Sequence, residues 1–452
     1  MKIHRILYYL LLFFLPTQLG FHRWPSWSYV LGRRIDYLSP SVYLTDVLIL
    51  FMLFFWFIES YKGVRNYVLC LPAGKAGIMG MKKSFFPVVF SKIRNTKTII
   101  FFFLLVFGNI WVAQNQPVAM YGWVKVVEFF LFFCYIKKTT PSFVSSSLVL
   151  LLSMTYTSTI AIVQFALQHS IGGIFWFLGE RMFDIGTPGI ARFDWCGLFV
   201  SSCRPILRAY ATFPHPNVLA GYIVALLPVF AFLMQKKIRD TFPTRKKITQ
   251  FVIPAIIFLS ILTLVLTFSR SALAVGLIVF CFYIIFNKPN NNKTKAMLIL
   301  MIMCIALSIG MAGKQLPLSS ESVLVRQDLN TNAVALWKTS PLFGVGLKNS
   351  IVSLPSVMHI KQVYFLQPPH NIYLLVLAET GVVGAAIFLW IIIIIFGRLR
   401  YQGNQKGRAI ALTKTLSLAS ILVLGIVDHY SLTLQQGQLL LTYIIGMSYV
   451  ES

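Results

Sequence analysis

The sequence predicts an all-α polytopic membrane protein, one integral domain over residues 1–452 with about twelve transmembrane helices. Three observations carry this. Of the 452 residues, 57% are hydrophobic and only 12% charged, whereas a water-facing surface needs about a quarter charged residues. Mean hydropathy is +0.75, and apolar runs of spanning length recur from end to end. The net charge of +27 sits in short connections between those runs, as the positive-inside rule requires. That distribution sets topology and meets anionic lipid, and argues against a nucleic-acid partner.

In chain order the apolar runs lie near 6–19, 42–58, 98–116, 118–136, 143–168, 217–234, 251–268, 271–287, 296–312, 371–396, 410–427 and 437–450. The first follows basic residues, as in a signal peptide, but lacks a small-x-small cleavage site, so it is read as a retained span. With both termini placed in the cytoplasm, inside segments carry roughly twice the Lys and Arg of outside ones. The chain is therefore read as a multi-pass membrane protein. The basic segment 71–95 reads as a linker. Lys125 and Glu128, three residues apart, are expected to neutralise one another. Cys134, Cys281 and Cys304 fall in apolar runs as packing residues. Cys196 and Cys203 share a loop, and whether they form a disulfide is open.

Two extracytoplasmic loops, 169–216 and 313–370, exceed simple connectors, and loops of that size are usually functional. The first, rich in Gly, Pro and aromatics, is expected to be irregular. In the second, Val323, Arg326, Asn330, Ala333 and Trp337 recur at three- and four-residue spacing. They predict a short amphipathic helix at the membrane interface, ended by Ser340-Pro341 and the glycines at 344 and 346.

Four polar motifs map to the outer side: "RAYATFPHPNVLAGY" (208–222), "LTFSRSALAVG" (266–276), "VRQDLNTNAVALWKTSPLFGVGLKN" (325–349) and "PPHNIYLLVLAETG" (368–381). Each sets an Arg or His where a loop meets a helix end. Arg270 falls on a tight outer turn, either as an interfacial anchor or as a phosphate grip, for which a guanidinium is the best side chain. Arg326 is a solvated helix charge or a second grip. Arg208 can join them or pair with Asp184 or Asp194, and Asn217 after His215-Pro216 can cap the next helix. His370, before a helix N-terminus, is disfavoured as a cation, and is either a general base or an interfacial histidine bonded to a loop carbonyl. Glu379 lies nine residues on, on the opposite helix face, and is expected to make a structural bond to a neighbouring helix.

Together "TFPHPNVLAGY", "LTFSRSALAVG", "SPLFGVGLKN" and "HNIYLLVLAETGVVG" resemble, in that order, the recurrent segments of the O-antigen ligase and polymerase superfamily. The likeness covers roughly residues 205–395. It implies an enzyme that uses a polyprenyl-diphosphate-linked glycan (an undecaprenyl diphosphate type of carrier) at the outer face of the membrane. The resemblance places Arg270 and Arg326 on the lipid diphosphate and His370 beside the acceptor hydroxyl. It gives His215 and Asn217 a supporting role, and Arg208 and Asn371 stand with them as candidates for substrate binding. The acceptor is a glycan, a lipid or a protein, which separates ligase from polymerase from protein O-oligosaccharyltransferase, and the sequence leaves these open.

No metal and no cofactor is expected. Asp36 and Asp46 are ten residues apart, with no D-x-D pattern to hold Mg²⁺ or Mn²⁺. A polysaccharide or lipid transporter is the alternative of another class. It would place its charges near the midplane in related halves, whereas here they gather in outer loops and no repeat is visible.

Overall fold

The computed structural model describes residues 2–69, 96–195, 204–234, 251–287, 302, 321–358, 366–404 and 407–451. The linker 71–95, nearly all of the run 296–312 with Cys304, and both Cys196 and Cys203 lie outside the described residues. The helices are α1 (Ile3–Phe13), α2 (Leu44–Leu69), α3 (Thr96–Val112), α4 (Gln116–Thr139), α5 (Phe143–Leu167), α6 (Pro216–Leu233) and α7 (Ile253–Leu266). They continue as α8 (Arg270–Asn287), α9 (Glu321–Thr339), α10 (Ser350–Ser353), α11 (Ile372–Gly403), α12 (Arg408–Leu424), α13 (Tyr430–Thr433) and α14 (Gln435–Met447).

Five are long and apolar enough to cross a membrane: Leu44–Tyr61, Gln116–Thr139, Phe143–Leu167, Pro216–Leu233 and Ile372–Gly403. Others fall short. The apolar run at 437–450, for example, is only the 13-residue α14, about 20 Å long against a hydrocarbon core of about 30 Å. Among the described residues, then, the helical membrane class is observed, with five full-length spans where apolar runs counted about twelve.

Helix α6 is the hub. Its sequence, PNVLAGYIVALLPVFAFL, is apolar on every face, and such a helix must be surrounded. It is almost wholly buried and packs against α12, α8, α7 and α5. Gly221 admits the ring of Tyr430, since a Cβ there would lie 1.7 Å from the Tyr430 hydroxyl. Helix α11 is the opposite case. Its apolar stretch is mostly exposed, with Leu389, Trp390 and Ile393 open, so this face meets lipid.

Short strands shape the loops. β1 (Gly20–His22) pairs antiparallel with β4 (Ser41–Tyr43), and β2 (Tyr29–Val30) with β3 (Arg33–Arg34). The loop 169–216, expected to be irregular, contains a hairpin of β5 (Arg192–Trp195) and β6 (Arg204–Leu207). Buried Glu180 and Gln164 fasten this loop to α5. The Gln164 amide donates to Glu180 Oε1 at 2.7 Å and to the Ala211 carbonyl at 3.0 Å, while its oxygen accepts from Ala211 N–H at 2.7 Å. Pattern analysis of apolar runs passes over such polar knots.

The helix expected in the second loop exists as α9 and stops at Thr339, before Ser340-Pro341. Its buried stripe is Leu329, Asn332, Ala333 and Leu336, offset from the expected one. The offset arises because α9 packs along α11 instead of lying free on the interface.

Beyond α9, residues 341–349 thread into a break in α11. Gly381, at φ 66° and ψ −170°, interrupts that helix. The freed backbone groups bond the loop: Val382 N–H donates to the Pro341 carbonyl at 2.9 Å, and Val345 and Gly346 donate to the carbonyls of Ala378 and Glu379 at 2.9 and 3.1 Å. Side chains at Gly344 or Gly381 would strike the opposing backbone at 2.4 and 2.2 Å. Asn109 of α3 closes the knot, donating to Phe343 and Glu379 carbonyls and accepting from Leu347 N–H and Trp123. Glu379 accepts from Lys348 N–H at 2.8 Å and the Ser350 hydroxyl at 2.6 Å. Its bond is structural, as expected, but the partner is this loop and the start of α10 instead of a membrane helix.

Candidate active site

His370 is fixed by the residues on either side of it. Pro368 and Pro369 are buried and stiffen the approach. Asn371 is the N-cap of α11, its Oδ1 accepting from Tyr373 and Leu374 N–H at 2.9 and 3.1 Å. Its oxygen is therefore occupied by the helix end. Ile372 N–H then donates to the Gly425 carbonyl at 2.8 Å, which pins the start of α11 against the end of α12. That junction delivers His370 to Asp428 and His429.

Asp428 Oδ1 lies 3.9 Å from His370 Nδ1 and accepts from His429 N–H at 2.8 Å. The two imidazole rings are 4.9 Å apart, centre to centre, and His429 Nδ1 bonds the Thr433 hydroxyl at 2.7 Å. His370 Nε2 stands 3.4 Å from Gln367 Oε1. His370 Nδ1 is buried and without a hydrogen-bond partner among the described residues. Such contacts are commonly long in an empty site and tighten around substrate.

These groups line a cavity of about 710 Å³ at one end of the bundle, together with His215, Asn217, Arg326 and Lys348. Residues of the β1–β4 loop complete its wall, including Tyr37, whose ring meets His429 at 5.6 Å. Arg208 and Arg270 stand outside the lining. Arg208 lies close enough to both Arg270 and Arg326 for their charges to bear on it, and Arg326 in turn bears on His370, His429 and His215. The four motifs thus meet at one end of the molecule.

Arg270 opens α8 and is exposed. The turn before it carries Phe268 at φ 49°, stacked on Phe193 at 4.3 Å. Neither the Arg270 nor the Arg326 side chain has a hydrogen bond or ion pair among the described residues. Arg208 is different. It donates from Nε to the Thr267 carbonyl at 2.6 Å and from Nη2 to Asn217 Oδ1 at 2.8 Å. The pairing with Asp184 or Asp194 weighed from sequence gives way to these neutral acceptors. Asn217 is not the cap of α6 either. His215 is, its Nδ1 accepting from Asn217 N–H at 3.1 Å with Pro216 behind it, which frees the Asn217 side chain to receive Arg208.

Burial sets the charges. It holds His370 below the usual histidine range, with Asp428 opposing and Arg326 assisting. His215 is pushed down to about 3 by burial and by Arg208, and His429 to about 3 by burial against the pull of Asp428. Burial works against Asp428 ionising, but His429, His370 and His215 outweigh it and keep its carboxyl below the usual range. Arg208 falls to about 10 through burial. Burial thus favours the uncharged imidazole at His370, His215 and His429, while Asp428 opposes it at His370 and His429.

Asp428 and His429 were missed in the sequence. The available signal was a lone carboxylate at the outer turn between the runs 410–427 and 437–450, on the same side as the four motifs. His370, Asp428 and His429 also present ligand atoms within 4.8 Å of one another, a set able to hold a divalent cation. Reading Asp36 and Asp46 alone did not anticipate it. Within the bundle, Lys125 bonds Glu128 at 2.6 Å as expected, and also Asp46 at 2.9 Å.

Residues 255–389 match the sequence model of the family described as O-antigen ligase. These residues form an O-antigen ligase domain. The resemblance drawn from the motifs is thereby shown for this stretch, and the apolar helices make the chain a multi-pass membrane protein. The O-antigen ligase match runs from α7 into the second half of α11 and contains Arg270, Arg326, His370 and Asn371. Arg208, His215 and Asn217 precede it, and Asp428 and His429 follow it. No curated protein matches the chain.

Proposed function

We propose that this protein transfers a glycan from a polyprenyl diphosphate carrier to an acceptor hydroxyl, at the outer face of the cytoplasmic membrane. The observation that carries the reading is the meeting of Arg326, His370 and Asp428 on one cavity, two of them inside the O-antigen ligase match.

With substrate bound, Asp428 closes the 3.9 Å gap to accept a hydrogen bond from His370 Nδ1–H and so presents Nε2 as the base, the logic of a base oriented by a third group. Nε2 takes the proton of the acceptor hydroxyl as its oxygen bonds the anomeric carbon. The bond from that carbon to the diphosphate oxygen breaks, and the electron pair leaves on the diphosphate. Arg326 on the lining meets the growing negative charge, and Arg270, outside the lining, adds its charge through the neighbourhood of Arg208. Preorganised cations at a water-poor site are worth most when charge develops. Arg208 positions Asn217 and adds to the positive field. One displacement inverts the anomeric configuration, and no step needs a metal.

Polymerase and protein O-oligosaccharyltransferase activities use the same steps with a different acceptor. The deciding test is transfer in isolated membranes with Arg270→Ala and Arg326→Ala variants. Normal insertion with accumulation of lipid-linked glycan supports the reading, and transfer at the wild-type rate by both overturns it.

A further inference from the structure

The start of α11 and the turn between α12 and α13 bring two imidazoles and a carboxylate together. His370, Asp428 and His429 each present a ligand atom, all within 4.8 Å of one another, and all three line the large cavity. The outer hydrogen bond of each ring decides which nitrogen is free. The Thr433 hydroxyl donates its proton to the His429 carbonyl at 3.1 Å, so toward His429 Nδ1, at 2.7 Å, it can only accept. Nδ1 therefore carries the hydrogen and Nε2 the lone pair. At His370 the neighbour of Nε2 is Gln367 Oε1, at 3.4 Å, and a carbonyl oxygen has no proton to give. The lone pair of His370 accordingly lies on Nδ1. That atom is buried, has no hydrogen-bond partner among the described residues and stands 3.9 Å from Asp428 Oδ1.

One ring nitrogen with a free lone pair and the other tied to an oxygen is the arrangement of a metal-ligating histidine. It occurs here twice, beside one carboxylate. From this placement we infer that His370, Asp428 and His429 form a site for a divalent transition-metal ion of the zinc class, and that the bound ion stops transfer. Zinc takes nitrogen and carboxylate ligands at about 2.0–2.2 Å, which sets them about 3.4 Å apart in a tetrahedron. Small rotations of the rings close the set to that size, and the fourth position opens on the cavity. Mg²⁺ and Ca²⁺ prefer oxygen ligands throughout and are poorly matched by two imidazoles.

The inhibitory half of the inference rests on the reading of His370 as the base. An ion on Nδ1 leaves the hydrogen on Nε2, so that nitrogen cannot take the proton of an acceptor hydroxyl. The ion also draws Asp428 away from orienting the ring.

Zinc binding to the untagged, purified full-length protein, with Co²⁺ as the coloured substitute, tests the site without any transfer step. Wild type should bind a single Zn²⁺ per chain in the presence of excess Mg²⁺, and Co²⁺ should give visible d–d bands. His370→Ala and His429→Phe should lose both signals. Thr433→Val keeps all three ligands but removes the partner of His429 Nδ1, and should weaken zinc about 10–100-fold. In transfer assays zinc should inhibit wild type and EDTA should restore the rate. Thr433→Val should need about tenfold or more extra zinc for the same fractional inhibition. Equal zinc affinity in wild type and His370→Ala, or in wild type and Thr433→Val, means an adventitious ion only and overturns the site, while any dependence of transfer on His370 stands apart from it. Zinc held at the cluster with transfer at the zinc-free rate overturns the inhibitory role, and His370 as the base falls with it.

Discussion

Asp428 Oδ1 and His370 Nδ1 face each other across 3.9 Å, although 58 positions of sequence separate them. The contact exists because Gly425, at the end of α12, receives the first N–H of α11. A side chain at Gly425 would meet Ile372 at 2.4 Å. The position of His370, the proposed base, is thus set by a helix junction, and the junction is set by a glycine.

Asp428→Asn should slow transfer by about 10²–10⁴, the usual worth of a well-placed base, with little change in donor affinity. It should also move the acid limb of the pH profile. Asp428 favours the protonated form of His370, so its loss lowers the His370 pKa and shifts that limb to lower pH. A pH series of kcat on both proteins measures the shift.

Arg326→Ala carries the opposite sign. Arg326 disfavours imidazolium at His370, so the variant should raise that pKa and shift the acid limb to higher pH. Losing a grip on developing charge should also cost about 10²–10³ in rate. Lys restores the charge without the two-pronged geometry, so Arg326→Lys should recover only part of the rate. Rate and pH profile together separate these effects from simple misfolding.

The knot at Gly381 predicts stability effects. Gly381→Ala places a Cβ 2.2 Å from the Leu342 carbonyl at a positive φ and should destabilise by about 2–5 kcal/mol. Glu379→Ala strands the Ser350 hydroxyl and Lys348 N–H and should cost about 1–3 kcal/mol. Thermal unfolding in detergent, followed by fluorescence and size exclusion, reads both.

Metal removal distinguishes two uses of the same side chains. As a base, His370 needs its Nε2 free. As a ligand, it would act with Asp428 and His429, whose donor atoms lie within 4.8 Å. Turnover is expected to persist in excess EDTA.

The membrane class, the end of α9, the Lys125–Glu128 pair and the turn before Arg270 were legible because each follows from local pattern. Hydropathy, Pro and Gly placement and three-residue spacing are properties of adjacent residues. Asp428 and the knot joining Asn109 to Phe343 and Glu379 were not legible. They depend on contacts between residues 58 to 270 positions apart, and one sequence carries no record of such pairings. The Arg208 partner shows the same limit, since two nearby aspartates were candidates and the fold supplied Asn217 and a carbonyl.

The most direct test of the whole account is single-turnover transfer by the purified protein, reconstituted with lipid-linked donor and acceptor in EDTA. Wild type should transfer, and His370→Gln should be slower by at least about 10² while still binding donor. A His370→Gln rate equal to wild type, or complete loss of wild-type transfer in EDTA, would contradict it.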